Sequence, residues 1–257
     1  MFDLKDKAVL VTGAAGDIGE GIARAFIGRG ARVHVTDVDT ERLALRAAAL
    51  AGLGSVTSST CDLADPAAVQ ALADDAIARL GRIDVLVNNA AIQAEGNLES
   101  STPELFDRAH AINVRAPYLL ARALVPAMRA AGGGAIINIA SVHATAPGPN
   151  RLAYATSKTA LLGLTRALAV DLGRDNIRVN AVSPGATLTS QLREAWEKRE
   201  GDVMAHAARQ HPLGRIAEVS DIAEAVVYLA ESSFVHGTEL RVDGGFLSAL
   251  RLLPPQS

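Results

Sequence analysis

The chain has 257 residues, 49% of them hydrophobic, with 25 Lys and Arg against 28 Asp and Glu, a formal charge of -3 and one Cys. That length admits one or two domains and a core that needs no staples; the evenly spread, nearly balanced charge excludes an electrostatic footprint for nucleic acid or an anionic membrane. A single Cys, Cys61, excludes an intramolecular disulfide framework and points to a reducing, cytoplasmic setting.

The start, Met1 to Lys7, lacks the apolar stretch of a signal peptide, and no apolar run reaches the ~18 residues of a spanning helix. Forty-nine Ala against nine aromatic residues indicate a core of small side chains, with helices lying close to a sheet or to each other.

In chain order, a β-branched run at Ala8 to Val11 leads into a Gly-rich turn and a helix over 17–29. Strands at Arg32 to Thr36 and Ser55 to Thr60 flank a helix over 40–51, and a helix over 66–80 follows, with Asp65 as cap and Pro66 in its first turn. After a strand at Ile83 to Val87, Thr102 and Pro103 open a helix over 103–131, in which Pro117 and Pro126 leave room for a kink or break. Gly132-Gly133-Gly134 stops it before a strand at Ala135 to Ile139. A helix over 152–173, a strand at Ile177 to Val182, a helix over 219–231 and a strand at Glu239 to Val242 complete the pattern.

This alternation predicts an α/β fold: a doubly wound parallel sheet of about seven strands with helices on both faces. No linker divides it, so residues 1–257 form one domain. The charged segment 186–215 reads either as a lid over a site or as a solvated helical excursion. The tail from Pro254 to Ser257 is expected to fray.

The turn Thr12-Gly13-Ala14-Ala15-Gly16-Asp17-Ile18-Gly19 joins the first strand to the first helix, where a backbone without side chains can approach a pyrophosphate. Asp37 closes the second strand eighteen positions beyond Gly19, near the offset at which a carboxylate accepts from the adenosine ribose; the other reading makes it a helix cap. A carboxylate there repels a 2'-phosphate, and Ala14, Ala15 and Val38 offer no cation, so NAD is favoured over NADP.

Tyr154 and Lys158 are one helical turn apart on one face, and Ser141 follows an apolar strand at the sheet's carboxyl edge. Hydride transfer from an alcohol carbon also requires that the hydroxyl proton move. A Tyr titrating near ~10 becomes a useful base only beside a cation such as an ammonium. Ser141 can hold the substrate oxygen against the phenol, and Asn113 can anchor a water through which the proton leaves.

Taken together, Thr12-Gly13 through Ile18-Gly19, Asp62-Leu63, Asn88-Asn89-Ala90-Ala91, Asn113-Val114, Ser141, Tyr154 with Lys158, Asn180 with Pro184-Gly185, and Asp243-Gly244 resemble the short-chain dehydrogenase/reductase family over nearly the whole chain. The resemblance implies a Rossmann-type homotetramer with Asn113, Ser141, Tyr154 and Lys158 as a catalytic tetrad. It also implies that Gly13, Gly16, Asp17, Ile18, Gly19, Asp37, Ala90, Pro184 and Gly185 border the cofactor and that Asp62 and Leu63 flank the adenine. By the same resemblance, Asn89 is expected to support the central strand near the adenosine ribose, Tyr154 and Lys158 to approach the nicotinamide ribose, and Thr187 and Thr189 to hold the carboxamide. Two positions depart from the family's pattern. Asp17 and Ala91 stand where Gly is usual, and an inward-pointing Asp17 would weaken phosphate binding.

Gln93, His143 and Arg151 are polar residues expected at the pocket mouth beside Ser141 and Tyr154. They are similar to the anion-binding set of bacterial 3-hydroxybutyrate dehydrogenases, while some sugar dehydrogenases also carry a His where His143 stands; the bland alternative leaves Arg151 solvated and His143 a loop residue. The expected function is NAD-dependent oxidation or reduction of a small polar secondary alcohol or its ketone, with a sugar or polyol ahead of a hydroxy acid. A non-catalytic NAD-sensing protein on the same fold is the other class. No metal is expected, since His206 and His211 lack a ligand partner at the right spacing.

Overall fold

A computed structural model describes residues 2–198 and 202–249. Its sheet has seven parallel strands in the order β3-β2-β1-β4-β5-β6-β7. The strands are β1 (Ala8–Thr12), β2 (Arg32–Asp37), β3 (Val56–Thr60), β4 (Val85–Asn88), β5 (Gly134–Ile139), β6 (Ile177–Pro184) and β7 (Glu239–Val242). The order reverses direction between β1 and β4, which opens a crevice at the carboxyl ends of the strands.

Helices α1 (Asp17–Gly28), α2 (Thr40–Ala51) and α9 (Val219–Glu231) cover one face; α3 (Pro66–Leu80), α5 (Ala116–Ala130) and α6 (Leu152–Leu172) cover the other. The two apolar layers divide the strands by alternation, Val9, Val11, Val33 and Val35 facing α1 and Ala8, Leu10, Leu86 and Ile136 facing α3 and α5. The small side chains let helices meet closely: a Cβ added at Gly21 of α1 would lie 2.2 Å from Val219 Cγ1 of α9.

The expected helix over 103–131 is three pieces: α4 (Pro103–His110), a π-helical turn at Ala111–Arg115, and α5. Pro117 has no N–H for the carbonyl of Asn113 four residues back, so the ladder slips there and the Ala116 amide bonds Ala111 O instead. Pro126 is accommodated inside α5. Segment 186–215 contains α7 (Ser190–Glu197) and α8 (Val203–Arg209), while the tail expected to fray lies outside the described residues. Among the described residues no helix is long and apolar enough to cross a membrane.

His34 on β2 is fully buried, with Nδ1 and Nε2 each 2.8 Å from the hydroxyls of Thr57 and Ser59 on β3. Burial pushes its pKa down to about 4, against a weaker upward pull from Asp75. The unfolded chain therefore binds more protons than the folded one between pH 6.5 and about 4. Stability is full above that window and falls as pH drops through it, by roughly 3 kcal/mol from this ring. Urea unfolding at pH 7 and 4.5 should show this loss reduced in His34→Gln relative to the unaltered protein; equal losses would overturn the assignment.

Candidate active site

The carboxyl edge of the sheet opens into a cleft of about 580 Å³. At one end the Gly-rich turn closes against α1. Gly13 has φ +71°, and a Cβ at Gly19 would lie 2.2 Å from Gly13 O, so both positions require Gly for the turn itself. A Cβ at Gly16 would meet only Gly13 O at 3.5 Å, leaving open cleft beside it. Asn89 Nδ2 donates to the carbonyls of Thr12 and Gly13 at 2.9 and 3.1 Å, and the Thr12 hydroxyl accepts from the amides of Asn89 and Ala90. The β4 end thereby locks the turn, with Ile18 and Ala90 on the cleft wall.

Asp37 lines the cleft, its two oxygens accepting from the amides of Ala15 at 3.0 Å and Asp39 at 3.1 Å. The cap of α2 is Asp39, which accepts from Arg42 N, so Asp37 is not the helix cap. Asp62 and Leu63 form the neighbouring wall. Arg42 lines the cleft with Asp37, a cation that the turn and residue 38 do not reveal. Its four-residue offset from Val38 spans the helix start and was the available signal.

Asp17 also lines the cleft, yet its carboxylate is engaged: Oδ2 accepts from Ser190 N at 2.5 Å and Ser190 Oγ at 2.7 Å, and Oδ1 from Arg46 Nη2 at 2.6 Å. Burial opposes its charge, but these bonds and the charges of Arg46 and Arg42 outweigh burial and hold the carboxyl below its ordinary value.

The far end holds Ser141, Tyr154 and Lys158, delivered by the loop after β5 and by the first turns of α6. Lys158 is buried and donates from Nζ to Ile139 O at 2.6 Å, 5.8 Å from the Tyr154 ring centre. Burial pushes its ammonium down to about 7. Burial also raises the Tyr154 phenol, against a hydrogen bond with Ser141 and the charge of Arg151.

Asn113 is the one tetrad member that does not line the cleft. It lies fully buried in the π turn, accepting from Ile92 N at 3.0 Å and donating to Ile92 O at 3.1 Å and Ser157 Oγ at 2.9 Å. Ser157 in turn donates to the Tyr154 carbonyl, so Asn113 braces β4's exit against α6.

Gln93, His143 and Arg151 also line the cleft, the His143 ring centre 6.1 Å from that of Tyr154. Arg151 is ion-paired with Glu95 at 2.8 Å and donates to Gln93 Oε1 at 3.2 Å, so it is not the unpaired cation an anion clamp would offer. His143 Nδ1 accepts from Gly148 N at 3.0 Å, which puts the neutral ring's proton on Nε2; burial, then Arg151, lower its pKa. Pro184, Gly185, Thr187 and Thr189 line the exit of β6. Leu192, Trp196 and Phe246 complete the wall. The i, i+4 spacing of Leu192 and Trp196 was a legible helix-face signal, whereas nothing local marked Phe246. His206 pairs with Gln210, and among the described residues no three His, Cys, Asp or Glu side chains gather as metal ligands.

A Gly turn at the switch point, the Asp37 carboxylate at the end of β2 and a cluster of Ser141, Tyr154 and Lys158 in the same cleft are the parts of an oxidoreductase built around a nicotinamide dinucleotide, and the residues lining the cleft fit that group. A family model described as enoyl-(acyl carrier protein) reductase matches residues 13–247. The chain is 39% identical to D-threitol dehydrogenase of Mycolicibacterium smegmatis over 248 residues, 95% of this chain and 94% of that one. It is 38% identical to a Rhizobium meliloti protein named probable galactose dehydrogenase over 247 residues, 95% and 96% of the two chains. The solved L-sorbose reductase of Gluconobacter frateurii, complexed with NADPH and L-sorbose, superposes with a TM-score of 0.90 at 32% identity, covering 97% of this chain and 100% of that one. The chain belongs to the short-chain dehydrogenase/reductase family, has its Rossmann-like fold and nicotinamide cofactor, and is an enzyme acting on CH–OH groups.

Proposed function

We propose that the protein is an NAD(H)-dependent dehydrogenase of a small sugar or polyol, with Tyr154 as its acid and base. The observation that carries the substrate class is the chemistry of the pocket mouth: Arg151 already neutralised by Glu95, and His143 presenting a neutral N–H. Such a set suits several neutral hydroxyls better than a carboxylate, as do the sugar and polyol names of its relatives. The hydroxy acid reading keeps Arg151 as its support, because Glu95 is exposed and could yield to a tighter anion.

When bound, the nicotinamide cofactor takes or gives the hydride. Gly16 would give its phosphates room in the turn that Gly13 and Gly19 permit, Asp37 would accept from its adenosine ribose, and Lys158 would reach its other ribose. Ser141 holds the substrate oxygen, and the Tyr154 hydroxyl gives it a proton in reduction or takes one in oxidation. Lys158 stabilises the phenolate by its charge. Asn113 fixes the Ile92 carbonyl, where a relaying water can bind.

NADH formation with a panel of polyols, sugars and hydroxy acids tests this: turnover is expected with a neutral polyol or sugar, and its absence across that group would sink the proposal. Arg151→Ala should weaken a polyol by less than about threefold, but a hydroxy acid by tenfold or more if the clamp reading holds. With either substrate, kcat/KM should favour NAD over NADP by about 10²-fold, and Asp37→Ser should erase most of that preference. Dominance of NADP in the unaltered enzyme would transfer the decisive role to Arg42.

The same reading makes 1–257 one domain with 186–215 as its lid, working in the cytoplasm as a homotetramer. Val170 on α6 and Phe234 before β7, 84% and 101% exposed, support an assembly that covers them. Light scattering at working concentration tests it.

A further inference from the structure

The departure at Asp17 has a use in the fold. Helix α7 begins with Thr189 as cap, its hydroxyl accepting from Leu192 N. The amide of Ser190, in the first turn, has no partner within the helix. Asp17 supplies one, and a second oxygen contact to the Ser190 hydroxyl, from 173 positions earlier. Its other oxygen is held by Arg46, which also grips Glu20, so the carboxylate is fixed by α2 before it meets α7. A negative group also sits favourably at the positive end of a helix. The backbone bonds between Ala186, Leu188 and Ala217 stop short of the helix. Downstream of these contacts, Leu192 and Trp196 wall the cleft.

We propose that Asp17 is a positioning residue for the substrate side of the site: braced by Arg46, it latches α7 over the cleft, so the phosphate turn sets the placement of Leu192 and Trp196. The proposal rests on reading 186–215 as a lid. It also explains how a carboxylate is tolerated at this turn, because its charge is spent on Ser190 and Arg46.

Trp196 is the chain's one Trp, so its fluorescence reports α7 directly. Acrylamide quenching of the full-length protein, with and without NAD, is measured for the unaltered chain, Asp17→Ala and Ser190→Pro. The Pro variant deletes both donors of Ser190 without touching α1, at a first-turn position where helices accept Pro. Both variants should raise the quenching constant about twofold and raise KM for the alcohol roughly tenfold with a smaller change in kcat, the scale of losing a charged hydrogen-bond pair. The double variant should add little to either single one. Unchanged quenching in both, or an effect of Asp17→Ala that Ser190→Pro does not reproduce, would overturn the latch. Quenching needs no substrate, so its failure is separate from a failure of the unaltered enzyme to oxidise any polyol.

Discussion

Tyr154→Phe is expected to lower kcat by about 10³-fold, within the range that a positioned acid or base contributes, while leaving NADH affinity near that of the unaltered enzyme. The phenol is held above its ordinary value by burial, despite Ser141 and Arg151, so it is protonated at neutral pH. It is thus ready to donate in carbonyl reduction, whose rate should not rise toward alkaline pH, because the phenol keeps its proton across the neutral range. Stopped-flow turnover across pH 6 to 10 with a substrate identified by the panel, alongside fluorescence titration with NADH, checks both parts. A Phe variant that keeps full turnover would remove Tyr154 from the mechanism, and a reduction rate that rises toward alkaline pH would reverse its assigned protonation.

Lys158→Met is expected to abolish most activity and, at the same time, to make the protein more stable. The buried ammonium titrates at about 7 in the folded chain against 10.5 for an exposed Lys. The unfolded chain therefore holds more protons between these values, so stability rises with pH across that window, and the side chain's cost is greatest at and below its lower limit. Methionine fills similar space without charge. Removing the charge outweighs the lost bond to Ile139 O, for a net gain on the order of 1–3 kcal/mol at pH 7. Thermal melts between pH 7 and 9.5, on protein prepared without cofactor, should show a higher Tm for the variant at pH 7 and a flatter pH dependence. Equal or lower stability at pH 7 would show that the Ile139 bond compensates the ammonium fully. Activity should fall by at least 10²-fold, because the Tyr154 phenol loses the cation that favours its ionised form. A protein that is steadier without the residue its chemistry needs is the expected trade-off of a strained site.

Much of the fold was legible because its signals are local. The β-branched runs gave seven strands whose ends moved by a residue or two, and the caps Asp65 and Thr102 accept from amides in the first turns of α3 and α4. The pair Tyr154 and Lys158 lies on one helix, so its spacing already fixed its geometry. The offset of Arg42 from Val38 marks it as a candidate, but how far its side chain reaches back from α2 is set by packing and not by spacing. The prolines of 103–131 left room for a break there, but the slip to the i→i+5 bond between Ala111 and Ala116 depends on how the chain recovers from the amide missing at Pro117.

Local signals along the chain set the alternation of strands and helices, the parallel sheet they require, and the residue types gathered at its carboxyl edge. Periodicity and Gly or Pro punctuation act within one or two helical turns. Folding settled what each polar group meets: Arg151 faces Glu95, Asn113 is withdrawn behind Ile92, and Asp17 is turned from the Gly-rich turn to Ser190. Those partners come from other elements, and a side chain's charge is answered by whichever group folding brings within a few ångströms of it.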